Sequence, residues 1–126
     1  MSAYRDLVME HRTIVHKLDR MAREILEVHY QESNLFLIGV DGQGVAVCNA
    51  LASRLRALSD VKVSVGTLSM HKDLPLENEI SCDLSVETWQ EEIVILVDDV
   101  LNSGRTLIHA VRYILEGQPR EVHTAV

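Results

Sequence analysis

Ile93-Val94-Ile95-Leu96-Val97-Asp98-Asp99-Val100-Leu101-Asn102-Ser103-Gly104-Arg105-Thr106 is the stretch that decides the fold. Its first five residues are apolar and mostly β-branched, which predicts a buried strand. Two adjacent carboxylates follow where that strand should end, and a short polar loop then leads into a helical pattern. The order of strand, acid pair, loop and helix indicates an open parallel sheet with a ligand site beyond its carboxyl edge.

The loop Asn102–Thr106 has the composition of a phosphate-binding nest. Gly104 permits a close approach of backbone to ligand, and Ser103 and Thr106 add hydroxyl donors. Unpaired N–H groups at the start of the following helix would point at the same anion. The loop therefore predicts an anion site.

The carboxylates of Asp98 and Asp99 need a different ligand, because two negative charges beside a phosphate would repel it. They suit sugar hydroxyls, which they can accept hydrogen bonds from, or a divalent cation that the phosphates also hold. The residues alone leave both alternatives open.

A second loop of interest follows the predicted strand Asn34–Val40, whose continuous apolar run is typical of a strand covered on both faces. The turn Val40-Asp41-Gly42-Gln43-Gly44 carries two glycines between this strand and a helix, which is compatible with an anion-binding turn or with an ordinary βα turn. It lacks the third glycine of a dinucleotide fingerprint.

The remaining periodic segments alternate between helix and strand, which predicts βαβ units and a mostly parallel sheet. These segments are a helix from Ile14 to about His29 after an extended lead-in at Tyr4–Met9, a strand at Val61–Met70 near a sheet edge, a helix from Leu107 that Gly117 and Pro119 stop, and a strand at Arg120–Val126.

Residues 71–90 have no clear periodicity, and a connection of this length in a small domain is usually functional or disordered. One interpretation is a lid over the Asp98 site. The other is a plain surface loop with a short hairpin around Ile80–Val86.

Composition restricts the function further. The 126 residues predict one domain, and a net charge of −7 disfavours non-specific binding to nucleic acid or anionic membranes. Cys48 and Cys82 match no metal or redox spacing, so we expect reduced thiols and, with no secretory signal, a cytoplasmic setting. His11, His16 and His29 show no metal-ligand spacing and are expected to be solvated or to cap the first helix.

The stretch from Val94 to Thr106 closely resembles the phosphoribosyl-pyrophosphate signature of the type I phosphoribosyltransferases. The layout of the first helix, Leu37–Gly44, Val65–Asp73 and Glu121–Val126 is most similar to the bifunctional pyrimidine operon attenuator and uracil phosphoribosyltransferase family. The resemblance implies a Rossmann-like phosphoribosyltransferase domain with a flexible hood loop. It also leads us to expect that a C-terminal segment of the domain is lacking after Val126.

The resemblance implies a role for each part of the site. Asp98 and Asp99 would be the catalytic pair that holds the ribose hydroxyls, one of them contacting Mg²⁺ mostly through water and substrate. The 5′-phosphate would lie on Asn102, Ser103, Gly104, Arg105 and Thr106. The pyrophosphate loop would be Val40, Asp41, Gly42, Gln43 and Gly44, and the hood would begin with His71, Lys72 and Asp73.

Three departures from related sequences bear on the substrate. Asn102 stands where purine salvage members carry an acid, and an amide cannot act as that general base, so a pyrimidine such as uracil is favoured. Gln43 replaces a basic residue, which removes one positive charge. Met70-His71-Lys72-Asp73 replaces a Tyr-Arg-Asp-Asp run, so a lysine stands in place of an arginine that could form two parallel hydrogen bonds to a phosphate.

The expected activity is therefore transfer of a phosphoribosyl group to a nucleobase, with small-molecule substrates and a homodimer or higher homo-oligomer. One alternative is a nucleotide-sensing, RNA-binding attenuation regulator, although the acidic sequence shows no cluster of basic residues that would bind RNA. The other is a non-catalytic protein that binds phosphoribosyl pyrophosphate.

Overall fold

The computed structural model describes residues 3–40, 43–69, 80–98 and 104–125. Within these ranges the chain forms an α/β fold with a five-stranded sheet. In chain order its elements are α1 (Ala3–Val28), β1 (Asn34–Val40), α2 (Gln43–Leu58), β2 (Lys62–Ser69), β3 (Ser81–Cys82), the 3-10 helix Val86–Trp89, β4 (Ile93–Val97), α3 (Gly104–Leu115) and β5 (Glu121–Ala125).

The sheet has the strand order β3-β2-β1-β4-β5. β1 pairs in parallel with both β2 and β4, and β4 pairs in parallel with β5. The two-residue β3 is antiparallel to β2 and covers its outer edge. The prediction of a mostly parallel sheet flanked by helices is therefore confirmed, and the strand predicted at Val61–Met70 near the sheet edge is observed at Lys62–Ser69.

The central strands bury side chains on both faces of the sheet, as their continuous apolar sequences predict. On β1, Leu35 and Leu37 pack into one cluster with residues of α1 and α2, whereas Ile38 and Val40 pack into a second cluster with residues of α3. All five residues of β4 are buried. The sheet thus lies between α1 and α2 on one face and α3 on the other.

Helix α1 is longer than the sequence pattern indicates. It begins at Ala3, so the extended lead-in predicted for Tyr4–Met9 is wrong. This segment contains no glycine or proline that would stop a helix. In the part of the chain that the structure describes, no helix is both long and apolar enough to cross a membrane.

The end of the predicted lid belongs to the core. Trp89 is fully buried, and its Nε1 donates a hydrogen bond of 2.9 Å to the carbonyl of Ile114 in the last turn of α3. That carbonyl is one of the groups a helix end leaves without an intrahelical partner. The lid interpretation is therefore wrong for residues 80–89, where β3 supplies the short pairing that the alternative expected.

The turn after α3 packs tightly on this tryptophan. A Cβ placed on Gly117 would overlap the carbonyl oxygen of Val86 and Nε1 of Trp89. The next residue, Gln118, has a left-handed backbone with φ of 54°, which L residues adopt at a cost and glycine adopts freely.

We expect Gly117→Ala to lower the free energy of unfolding by about 1–3 kcal/mol, because the methyl group has to displace backbone and a buried ring. Urea unfolding followed by Trp89 fluorescence measures this. The neighbouring Gln118→Gly is the matched control and should leave stability unchanged or slightly higher. An unchanged midpoint for Gly117→Ala would show that the turn does not depend on this packing.

Candidate functional site

The sheet has a topological switch point between β1 and β4. The chain leaves β1 through α2 toward β2, and it leaves β4 through α3 toward β5, in opposite directions along the sheet. Because α2 and α3 cover opposite faces, they diverge at the carboxyl edge. Ligands of open α/β sheets bind in the crevice that this divergence leaves.

Two glycines bring the backbone of α2 against both central strands. A Cβ on Gly39 of β1 would lie 2.9 Å from the Gly44 carbonyl oxygen, and a Cβ on Gly44 would lie 3.0 Å from the Val97 carbonyl oxygen and 3.6 Å from Cα of Asp98. A side chain at Gly39 would force its neighbours to shift, and one at Gly44 would make an unusually tight contact. The start of α2 therefore lies directly beside the end of β4.

Asp98 is the first residue after β4, at this carboxyl edge. Its backbone N–H donates a hydrogen bond of 3.1 Å to the carbonyl of Ala125, which fixes its backbone against β5. The residue is 5% exposed. Asp98 therefore lies at the carboxyl end of a central strand, beside the start of α2.

Both helices begin at this edge. α2 starts at Gln43, three residues after the end of β1, and α3 starts at Gly104 and runs back toward the start of β5. The first four N–H groups of an α-helix have no intrahelical partners, and the helix dipole adds partial positive charge there. The crevice thus combines a carboxylate with two helix N-termini suited to anions.

The structure brings together Val40, Gly44 and Asp98 of the predicted site, and it places the backbone of Gly104–Thr106 in the first turn of α3. Other predicted residues lie outside the described part of the chain: Asp41, Gly42, His71, Lys72, Asp73, Asp99, Asn102 and Ser103. The side chains of Gln43, Arg105 and Thr106 lie outside it as well.

Gly39 is a part of this site that sequence reasoning missed. It lies inside the predicted strand Asn34–Val40 and is fully enclosed between Cys48 and the first turn of α2. A glycine inside an otherwise apolar strand is the available signal, because it often marks a close approach of another backbone.

Comparison with known proteins matches this chain to one family. The model of the phosphoribosyl transferase domain matches residues 6–126. The chain is 31% identical to Bifunctional protein PyrR of Clostridium novyi, over 98% of its own length and 73% of the relative. It is 34% identical to the protein of that name from Enterococcus faecalis, over 94% and 70% of the two chains. For the one from Brevibacillus brevis the identity is 32%, over 97% and 72%.

We expect Gly44→Ala to push the first turn of α2 away from β4. The added methyl group would be tighter against the Val97 carbonyl than ordinary contacts allow, so the variant should lose about 1 kcal/mol of stability and shift the backbone amide resonance of Asp98. Ala46→Gly, at an exposed position of α2, costs about 1 kcal/mol through helix propensity alone and should leave that resonance in place. An unshifted Asp98 amide in Gly44→Ala would contradict the proposed contact.

Proposed function

The chain belongs to the phosphoribosyl transferase domain family, and from that premise we propose that it transfers the 5-phosphoribosyl group from phosphoribosyl pyrophosphate to a nucleobase, with release of pyrophosphate. A pyrimidine such as uracil is the favoured base. The observation that carries this proposal is the contact between Gly44 and the end of β4. It holds the start of α2 beside Asp98, which supports a crevice for a substrate with phosphates at both ends.

The ribose end of the substrate would lie on the segment after β4. Asp98 and Asp99 accept hydrogen bonds from the two ribose hydroxyls, and Asn102–Thr106 cradle the 5′-phosphate. The start of α3 at Gly104 supports this assignment, because the N–H groups of its first turn are the donors that a phosphate needs.

The pyrophosphate end would lie on Val40–Gly44 at the start of α2. The absence of a Cβ at Gly44 and Gly39 lets this backbone approach the ribose end closely. Lys72 in the segment after β2 would neutralise part of the pyrophosphate charge. Gln43 donates hydrogen bonds but carries no charge, so we expect the pyrophosphate to be held less tightly than by a basic residue at this position.

Magnesium fits the donors of this crevice. The Asp98 carboxylate is an oxygen ligand at the end of β4, and Mg²⁺ in sites of this type is bound by one or two carboxylates, substrate phosphates and water. When bound, the ion would neutralise the charge that develops on the departing pyrophosphate. Asp98 or Asp99 would contact it, mostly through water and the substrate.

The residues of the chain have three tasks in the reaction. The nitrogen of the base attacks C1 of the ribose as the bond to pyrophosphate breaks, through a transition state with oxocarbenium character. The carboxylates and the phosphate nest hold the ribose in line for this attack. The helix N-termini stabilise negative charge on the leaving group, and closure of the segment around Lys72 would exclude water that hydrolyses the activated sugar.

The alternative is a nucleotide-sensing regulator that binds RNA, or a protein that binds the substrate without turnover. The relatives are named bifunctional proteins, which is compatible with a second role. A net charge of −7 disfavours contact with a phosphate backbone unless basic side chains cluster. We therefore rank catalysis first.

We expect the double variant Asp98→Asn, Asp99→Asn to bind phosphoribosyl pyrophosphate with Mg²⁺ at least about 100-fold more weakly, since a hydrogen bond to a charged group is worth about 1.5–3 kcal/mol. Calorimetry measures the affinity, and circular dichroism checks the fold. Asp60→Asn, an exposed acid before β2, is the matched control. Equal affinity in the double variant would overturn the site assignment.

We expect turnover with uracil and little with purines. Incubation with labelled phosphoribosyl pyrophosphate, Mg²⁺ and a panel of bases should yield the nucleotide and one equivalent of pyrophosphate. Absence of turnover with every base, together with tight binding of nucleotide and RNA, would favour the regulator. Absence of turnover with tight substrate binding alone would favour the non-catalytic alternative.

A further inference from the structure

A second cluster of chemically active side chains lies on the face of the sheet that α1 covers. Glu121 and His123 are two residues apart on β5 and therefore point to the same face of the strand. His29 directly follows the end of α1 and reaches the same place. The sequence predicted a solvated or capping His29; the residue is only 6% exposed, so the solvated interpretation is wrong.

The three side chains converge closely. The Nε2 atom of His123 lies 3.0 Å from Oε1 of Glu121. The rings of His29 and His123 meet edge to face with their centroids 4.8 Å apart. One nitrogen from each histidine and one carboxylate oxygen all lie within 4.8 Å of one another. Among the residues that the structure describes, this is the group of three ligand-bearing side chains that comes this close.

The electrostatic setting keeps the cluster able to bind a cation. Burial lowers the pKa of His29, and the neighbouring His123 lowers it further. Glu121 supplies negative charge. The adjacent ion pair of Glu32 with Arg120 adds no net charge to the surroundings.

We propose that His29, Glu121 and His123 bind one Zn²⁺ ion. Two imidazoles and one carboxylate form a three-ligand zinc set that leaves a fourth position for water. That position would open into the adjacent groove of about 340 Å³, which His29 and His123 line together with Glu24 and Thr124. Nothing in the phosphoribosyl transfer uses these residues.

The distances require only side-chain movement. Zinc bonds of about 2.0–2.1 Å in a tetrahedral site put ligand atoms roughly 3.3 Å apart. The His123 and Glu121 atoms already lie at 3.0 Å. The widest separation in the cluster, 4.8 Å, has to close by roughly 1.5 Å, which rotation of an imidazole about its side-chain torsions supplies.

The ion would tie the end of α1 to the edge strand β5 and would be separate from the Asp98 crevice. His123 pairs with Ile95, three residues before Asp98 on β4, which corresponds to roughly 10 Å along the sheet. The ligand chemistry also differs, because imidazole favours zinc whereas Mg²⁺ is held by oxygen donors. A negative result for Zn²⁺ binding therefore leaves the proposed phosphoribosyl transfer untouched, and the reverse also holds.

Titration of the tag-free chain with Zn²⁺ by calorimetry tests the proposal. We expect one ion per chain, a higher melting temperature with Zn²⁺, and no displacement by millimolar Mg²⁺. His123→Gln and Glu121→Gln, at partly exposed positions, should each weaken Zn²⁺ binding at least about tenfold. A loss of this size is seen even for residues that only hydrogen-bond to a metal ligand. His29→Gln should do the same, with circular dichroism as a check on its buried position.

Two controls and one spectroscopic measurement locate the ion. His16→Gln, on the exposed face of α1, and Cys82→Ser, which removes a half-buried thiol, should bind Zn²⁺ like the parent chain. The ring nitrogen resonances of His29 and His123 should shift together on addition of Zn²⁺, and those of His16 and His109 should not. Unchanged affinity in Glu121→Gln and His123→Gln, or loss of binding in Cys82→Ser, would overturn the proposal.

Discussion

The parallel pairing of β1 with β4 is the constraint on which the rest of the structure depends. It places the carboxyl ends of the two central strands side by side, and the chain then leaves them in opposite directions on opposite faces. A crevice between α2 and α3 follows from this topology alone. Gly39 and Gly44 keep α2 close to the two central strands, because a side chain at either position would push the helix away from them.

Packing against the core also fixes the last part of the long connection after β2, from Ile80 to Trp89. Trp89 is enclosed by the 3-10 helix and the end of α3, and its indole N–H donates a hydrogen bond to the carbonyl of Ile114, which also accepts one from the backbone N–H of Gly117. Gly117 must lack a side chain for the ring to fit there. The short β3 pairs with β2 before this anchor. The described residues from Ile80 to Trp89 are therefore tied to the sheet and to α3.

The local sequence pattern predicted best the strands that are covered by helices on both faces of the sheet. β1 was predicted with its observed bounds and β4 with its observed residues, because strands covered on both faces have continuous apolar sequences that turn residues interrupt. The start of α1 was missed because the polar run from Glu10 to Thr13 separates its first apolar residues, Tyr4, Leu7 and Val8, from the stripe that begins at Ile14. Trp89 was missed because a single aromatic residue among polar ones carries no periodicity. Its burial depends on Gly117, which is remote in sequence.

The candidate site shows the same division. The signature of strand, acid pair and loop could be recognised because its parts are contiguous within one βα unit. Asp98 lies at the end of β4, as that signature predicts. The proximity of Gly44 to Asp98 depends on strand order, which no local pattern specifies. The cluster of His29, Glu121 and His123 depends on strand order as well, because more than ninety residues separate the two histidines. The spacing of Glu121 and His123 on one strand face was its only local signal.

The positions of the two sites agree with the physics of a parallel sheet. The carboxyl edge collects helix N-termini, whose partial positive charge suits phosphates and whose oxygen-bearing loops suit Mg²⁺. β5 is different, because only part of its surface is covered and α1 ends beside it with His29 turned inward. An imidazole pair there meets neither the helix N-termini nor the substrate phosphates. The proposed Mg²⁺ and Zn²⁺ sites thus differ in ligand type and in position, so one sheet could hold both ions without competition between them.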